Sequence, residues 1–186
     1  MKSKSLRAWI IAMLACLGGY ILYSGLVIWL PKTVFFQYFS ILVYSVVPLC
    51  VMMVGLQFTK LDSSKLTKWG GALLAADGAI GLIWQVLVLI GKIQSTMIIT
   101  MPLFISHTFL SAVLKGTAFI LIALYFADRR MLWWAIALAV FEASFAGTFT
   151  AWRLIADSYV LMTFYSLFSC AVVVCEIVLL AKILKK

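Results

Sequence analysis

Apolar residues follow one another along this chain in six long runs, which short polar stretches separate. The runs cover 8–30, 34–58, 69–91, 97–127, 131–152 and 158–182. A helix that crosses a lipid bilayer needs roughly 20 apolar residues, and each run is long enough. The pattern therefore predicts an all-α polytopic membrane protein. It would be a bundle of six transmembrane helices that occupies 1–186 as a single transmembrane domain.

The composition supports lipid as the solvent of these helices. Hydrophobic residues make up 66% of the 186 residues, charged residues make up 11%, and the mean hydropathy is +1.15. A water-soluble domain of this length has too little interior to bury so much apolar surface. The first run follows the basic start MKSKSLR and continues through Leu30, which is longer than the apolar region of a signal peptide. We therefore expect an uncleaved first helix.

Lysine and arginine residues predict the orientation of the bundle. Eleven of them fall at the two termini and in the second and fourth connections: Lys2, Lys4, Arg7, Lys60, Lys65, Lys68, Arg129, Arg130, Lys182, Lys185 and Lys186. Only Lys32, Lys92 and Arg153 belong to the other side. The positive-inside rule then places both termini in the cytoplasm. We expect a multi-pass protein of a plasma membrane, bacterial by its lysine-rich ends and short loops. The net charge of +9 indicates a membrane surface and no nucleic-acid partner.

Two charges inside the apolar runs are predicted to form a pair. Lys115 lies in the run SHTFLSAVLKGTAFILIAL, fourteen positions before Arg129, and Glu142 lies thirteen positions after Arg129. At 1.5 Å per residue Lys115 would be roughly 15–18 Å deep. Two antiparallel helices joined by a short turn would place both residues at the same depth. Because an unpaired charge at the bilayer centre costs at least ~2.5–3.5 kcal/mol, we expect Lys115 and Glu142 to face each other.

Two further acids accompany this pair. Asp77 lies on the third helix, somewhat nearer the cytoplasm but within reach of a lysine side chain. Glu176 lies closer still to the cytoplasm, so we expect its side chain to extend toward the interface. The polar residues have two interpretations: an ion pair that fixes the order of the helices, or part of a solute or proton pathway. The sequence leaves both open.

Polar and aromatic residues form stripes on two of the predicted helices. His107, Ser111 and Lys115 are spaced i, i+4, i+8, and Asp77, Trp84 and Gln85 share a face of the third helix. We predict an outward-opening cavity because binding pockets combine apolar and aromatic walls with a few polar groups. The predicted substrate-binding residues are Trp84, Gln85, His107, Ser111, Lys115, Glu142 and Asp77. The alternative is that His107, the sole histidine, is a hydrogen-bonded packing residue.

The sequence contains no motif that indicates an enzyme or a bound cofactor. The chain has no H-E-x-x-H, G-x-S-x-G or Walker motif, and one histidine cannot supply bis-histidine haem ligation. We therefore predict no cofactor, no metal site and no catalytic residue, and any ATP-driven work would come from another chain. Three function classes remain. They are a small-solute binding or transport protein, a non-catalytic accessory, sensor or immunity subunit, and an intramembrane enzyme.

The first helix carries small residues at helical spacing. Ala8 and Ala12 form an A-x-x-x-A pattern in AWIIA, and Ala15 with Gly19 repeats it. With six helices, this length, two cytoplasmic ends and an outward aromatic pocket, the chain resembles the substrate-binding S-components of energy-coupling-factor vitamin transporters. The resemblance implies that this face docks a membrane-coupling subunit and that ATPases drive transport. It does not account for Lys115 and Glu142.

Overall fold

The computed structural model describes residues 4–26, 34–61, 64–89, 97–155 and 159–186. Over these residues the chain forms six α-helices and no strand. The helices are α1 (Lys4–Leu26), α2 (Val34–Thr59), α3 (Lys65–Leu89), α4 (Met97–Tyr125), α5 (Arg129–Ile155) and α6 (Tyr159–Leu184). The all-α prediction is confirmed. The predicted ends that fall within the described residues lie within four residues of the observed ones.

The outer surface of the bundle is apolar. Five helices contain a stretch long and apolar enough to cross a membrane: Lys4–Leu22, Lys65–Val88, Pro102–Tyr125, Arg129–Trp152 and Thr163–Leu184. In α2 the residues whose side chains the structure describes cover Ser45–Thr59 of the apolar stretch. Large apolar side chains on these helices are 61–69% exposed, among them Leu22, Ile83, Val113, Leu154 and Leu167. Such a surface is stable against lipid tails and not against water. The protein is therefore embedded in a membrane.

The six helices form a closed ring. Each packs against its neighbours in chain order, and α1 packs against α6 to close the ring. One end carries the start of α1, the α2–α3 connection, the α4–α5 turn and the C-terminus, and we call it the basic end. The fully buried core fills the half of the ring next to the basic end: Leu6, Ile10, Phe58, Leu74, Phe119, Ile122, Met131, Leu138, Leu179 and Ile183.

Glycines bring α2 and α3 into backbone contact. A Cβ atom on Gly55 would lie 2.6 Å from the carbonyl oxygen of Gly71 and would also meet the backbone nitrogen of Ala75. A Cβ atom on Gly78 would lie 2.6 Å from the carbonyl oxygen of Pro48. Backbone atoms cannot move away as a flexible side chain can, so only glycine fits at these positions. Small-residue contact is a common basis of helix association in membranes.

Polar contacts tie the basic end together. The Asp128 carboxylate caps α5 by accepting hydrogen bonds from the backbone nitrogens of Arg130 and Met131 at 3.0 and 3.1 Å. Its other oxygen lies 3.2 Å from Nζ of Lys186, so the C-terminus meets the α4–α5 turn. The hydrogen bond from Met131, followed by the one from Lys186, lowers the pKa of Asp128 below its ordinary value of 3.8.

Replacing Gly55 by alanine is expected to destabilise the protein by about 1–3 kcal/mol, the usual cost of overpacking. The added methyl group would overlap backbone atoms of α3. The matched control is Gly147→Ala, because no atom lies within 4 Å of a Cβ built on that exposed glycine. Reversible unfolding in detergent micelles measures both. Equal unfolding free energies for the two variants would show that α2 and α3 are not in backbone contact.

Acid is expected to remove the stability that ionised Asp128 contributes. Since folding lowers the pKa of Asp128, the contribution is complete above 3.8 and is lost as the pH falls through the lower folded-state pKa. Asp128→Asn keeps a capping oxygen and removes the charge beside Lys186. The Tm of wild type should therefore be higher than that of Asp128→Asn at neutral pH, and the difference in Tm should shrink below about pH 4. A difference that thermal unfolding finds independent of pH would contradict this account.

Candidate functional site

A cavity of about 550 Å³ occupies the centre of the ring, in the half away from the basic end. Its lining includes residues from all six helices and extends to Val88, next to the last residue of α3. The lining contains all seven predicted residues: Asp77, Trp84, Gln85, His107, Ser111, Lys115 and Glu142. The structure thus brings the predicted set together, and its role in binding a substrate stays a prediction. The connections 27–33, 90–96 and 156–158 at this end lie outside the described residues, so the outward opening near Trp84, Gln85 and His107 stays a prediction.

Lys115 lies between two carboxylates. Its Nζ atom is 2.8 Å from Oε1 of Glu142 on α5 and 3.0 Å from Oε1 of Glu176 on α6. The predicted ion pair between Lys115 and Glu142 is present. Both glutamates are almost fully buried, with 5% and 3% of the residue exposed. The ammonium group of α4 therefore links α4 to both following helices inside the bundle.

The expectation for Glu176 is wrong. Its side chain points into the bundle and lines the cavity instead of extending toward the interface. Because Lys186 contacts Asp128, the end of α6 is level with the α4–α5 turn. Glu176 lies eight residues before the end of α6, or roughly 12 Å, and Lys115 lies ten residues before the end of α4, or roughly 15 Å. A lysine side chain spans the difference. Similar depth below the helix ends at the basic end is the signal that places Glu176 near Lys115.

Asp77 contacts Ser111 and not Lys115, although the sequence places it within reach of the lysine. Its Oδ1 atom accepts a hydrogen bond of 2.5 Å from the Ser111 hydroxyl, and the residue is 6% exposed. Among the described residues, the ion pairs of Lys115 are with Glu142 and Glu176 and do not include Asp77. Asp77 is therefore bound by Ser111 and not by the lysine. Asp77 is the one carboxylate of the cluster whose charge no cation contacts in the described part of the chain.

Among the described residues, the charges that line the cavity do not balance. Asp77, Glu142 and Glu176 contribute three carboxyl groups, and Lys115 contributes one ammonium group. A structural ion pair in a membrane needs one acid for one base. Burial of an uncompensated charge costs several kcal/mol per ion even after relaxation. The excess of acid is therefore more than is needed to hold the helices in order.

Aromatic rings form the cavity wall beyond the charges. The indole of Trp84 stacks on the imidazole of His107 with ring centres 4.9 Å apart, and Phe104 meets Trp84 edge-on at 5.0 Å. Tyr165 of α6 stacks on Phe145 of α5 at 4.8 Å, and Phe149 contacts both Phe104 and Tyr165. Neither Glu176 nor Phe104 was among the predicted substrate-binding residues. A phenylalanine in an apolar helix gives no signal that separates the cavity wall from the core.

His107 has an unsatisfied polar atom. Its Nε2 atom is buried, and no other described residue forms a hydrogen bond with it. The alternative that His107 is a hydrogen-bonded packing residue therefore has no support at Nε2. The ring is held in place by stacking on Trp84 instead. A buried imidazole nitrogen that lines a cavity can donate to a ligand or accept from it.

The small-residue face of α1 lies on the outside of the ring. Ala8 and Ala15 are exposed, and Ala12 and Gly19 are half-buried. No atom lies within 4 Å of a Cβ built on Gly19. Ala12 packs partly against the core, and the exposed Ala8 and Ala15 leave the face open to lipid or to another membrane helix. Its predicted role as a partner interface stays a prediction.

Comparison of the chain with protein-family models, with curated proteins and with solved structures finds no match. The function is therefore argued from the cavity and the residues that line it.

Loss of the Lys115 charge is expected to destabilise the fold by about 3–5 kcal/mol, the range measured when one partner of a buried pair is removed. Lys115→Met leaves Glu142 and Glu176 without their cation. Glu142→Gln or Glu176→Gln should cost less, because Lys115 keeps one carboxylate. The triple variant Lys115→Met, Glu142→Gln, Glu176→Gln should be more stable than Lys115→Met alone.

Unfolding free energies in micelles test this order, with Lys185→Met as the control for loss of an exposed lysine. If Lys115→Met and Lys185→Met are equally stable, the ion pairs do not hold the bundle together.

Proposed function

We propose that this chain is a membrane protein that binds or transports a small solute in the central cavity. One observation carries the proposal. A cavity large enough for a small organic molecule is lined by residues of all six helices, among them charged, polar and aromatic side chains. Ligand sites are typically concave, mostly apolar and aromatic, with a few placed polar groups. Ionisable residues within membrane helices commonly mark solute or ion pathways.

The unequal division of charge favours solute binding over a purely structural cluster. A structural role accounts for Lys115, Glu142 and Glu176 as a link between three helices, and it leaves Asp77 and the excess of acid unexplained. The unpartnered Nε2 atom of His107 is a further polar group that the fold does not use. Both features are expected where a ligand completes the polar contacts.

In its fuller form the proposal makes the chain the substrate-capturing subunit of an ATP-driven transporter. The small-residue face of α1 is accessible from the membrane and would contact a membrane-coupling subunit, with ATPases attached to that partner. The basic end would face the cytoplasm of a bacterial plasma membrane, since its lysines and arginines follow the positive-inside rule. The same α1 face also suits a second function, that of an accessory, sensor or immunity subunit, which needs no ligand.

Solute binding predicts that the aromatic wall is needed for ligand-induced stabilisation. Wild-type protein in detergent is heated with a library of small metabolites, and the compounds that raise Tm are identified. Trp84→Ala and His107→Ala should fold but show little of that increase. Phe109→Ala is the matched control, because Phe109 is two residues from His107 on the same helix and is 43% exposed. It should respond as wild type does.

If no compound raises the Tm of wild-type protein, or if all three variants respond alike, the cavity is not the binding site.

A transporter subunit should also co-purify with its partners. Native mass spectrometry of gently solubilised protein is expected to show a membrane-coupling chain and an ATPase, and Ala12→Leu should reduce their recovery. A different membrane protein recovered through the same face, with no bound solute, would support the accessory subunit instead.

A further inference from the structure

The acid cluster lacks hydrogen-bond donors as well as positive charge. Three carboxylates offer roughly twelve acceptor positions, and one lysine brings three donors. Ser111 adds one donor, to Asp77. No second donor in the described part of the chain reaches Oε1 of Glu142 or Oε1 of Glu176. A ligand with N–H groups and a positive charge would satisfy both deficits together.

An anionic ligand does not fit this site. In the part of the chain that the structure describes, Lys115 is the one lysine or arginine in the cavity lining, and its ammonium group is already shared by Glu142 and Glu176 at 2.8 and 3.0 Å. An incoming anion would have to displace a glutamate from Lys115 and would meet the three acids. Like charges at these distances in a low-dielectric interior repel strongly.

A bare metal ion also fits poorly. Among the described residues no group of three histidine, cysteine, aspartate or glutamate side chains could hold a metal ion. Ser111 caps Asp77, and the two glutamates converge on Lys115 and not on an empty point. The cavity, at about 550 Å³, has room for an organic molecule.

The aromatic wall suits the remainder of such a molecule. Trp84, Phe104 and His107 form one aromatic group on α3 and α4, and Phe145 with Tyr165 forms another on α5 and α6. Planar apolar groups pack well between such rings, and aromatic faces attract organic cations within about 6 Å. The buried Nε2 atom of His107 adds one polar contact at this wall.

We infer that the solute is an organic ammonium ion that carries a planar apolar group. Its ammonium group lies toward Asp77, the acid that no lysine or arginine contacts in the described residues, and its planar group lies between the aromatic side chains. The inference rests on the proposed solute-binding function and names the class of solute.

Three probes of one size and different charge test the inference: 2-phenylethylammonium, 2-phenylethanol and 3-phenylpropionate. Each is titrated into the protein in detergent at neutral pH, and Kd is obtained from the rise in Tm and from calorimetry. We expect the ammonium ion to bind wild type and the other two probes to have no measurable effect. NaCl and MgCl₂ at matched ionic strength are expected to have none either.

Asp77→Asn should weaken binding of the ammonium ion at least about tenfold, because a neutral amide oxygen replaces the charged carboxylate as the hydrogen-bond acceptor. Asparagine can still accept the Ser111 hydrogen bond, so the fold should be retained. Asp128→Asn is the matched control, since it removes an acid at the basic end, outside the cavity lining. It should bind the ammonium ion as wild type does.

Each other outcome overturns the inference. Equal or tighter binding of the alcohol or the carboxylate means that the cavity does not select positive charge, although it still binds solutes. Saturable stabilisation by NaCl or MgCl₂ that depends on Asp77 identifies an inorganic cation site. Equal binding to wild type and Asp77→Asn places the ammonium ion elsewhere, as detergent partitioning would. If none of the three probes binds, the solute class is wrong, and the metabolite screen with Trp84→Ala decides separately whether the cavity binds anything.

Discussion

The ammonium group of Lys115, held between Glu142 and Glu176, is the contact on which the architecture depends. In lipid there is little hydrophobic drive to bring helices together, since lipid tails are as apolar as the side chains. A buried charge without a partner is costly there, so Lys115 requires α5 and α6 to stay beside α4. The same requirement fixes how each of the three helices is rotated about its axis, because all three charged side chains must point inward.

On the other side of the ring, glycine contacts fix the position of α3 against α2. Gly55, Gly71 and Gly78 let α2 and α3 meet backbone to backbone, which leaves no freedom to rotate α3. Asp77 precedes Gly78, so its side chain is held toward the centre, where Ser111 binds it. Glycine packing on one side and ion pairs on the other therefore orient three acidic side chains into one cavity.

The two halves of the bundle are packed differently. The half next to the basic end is filled with fully buried apolar side chains, and the polar contacts of Asp128 and Lys186 close it. The other half is hollow and has aromatic walls. A chain selected for stability alone would have filled that space, because a cavity in a packed interior costs stability. The hollow half, with more acid than base at its floor, is the basis for proposing a bound cationic solute.

The sequence by itself determined the six helices, their membrane setting and the pairing of Lys115 with Glu142. Apolar runs of sufficient length leave only helices as a solution in lipid, and a three-residue turn fixes the relative depth of two adjacent helices. It also grouped Trp84, Gln85, His107 and Ser111, since helical spacing is a local property. Only the tertiary structure decided that Glu176 joins Lys115 and that Asp77 binds Ser111. Those contacts depend on how α6 and α3 are rotated and placed against α4, and helices distant in sequence share no short turn that sets their register.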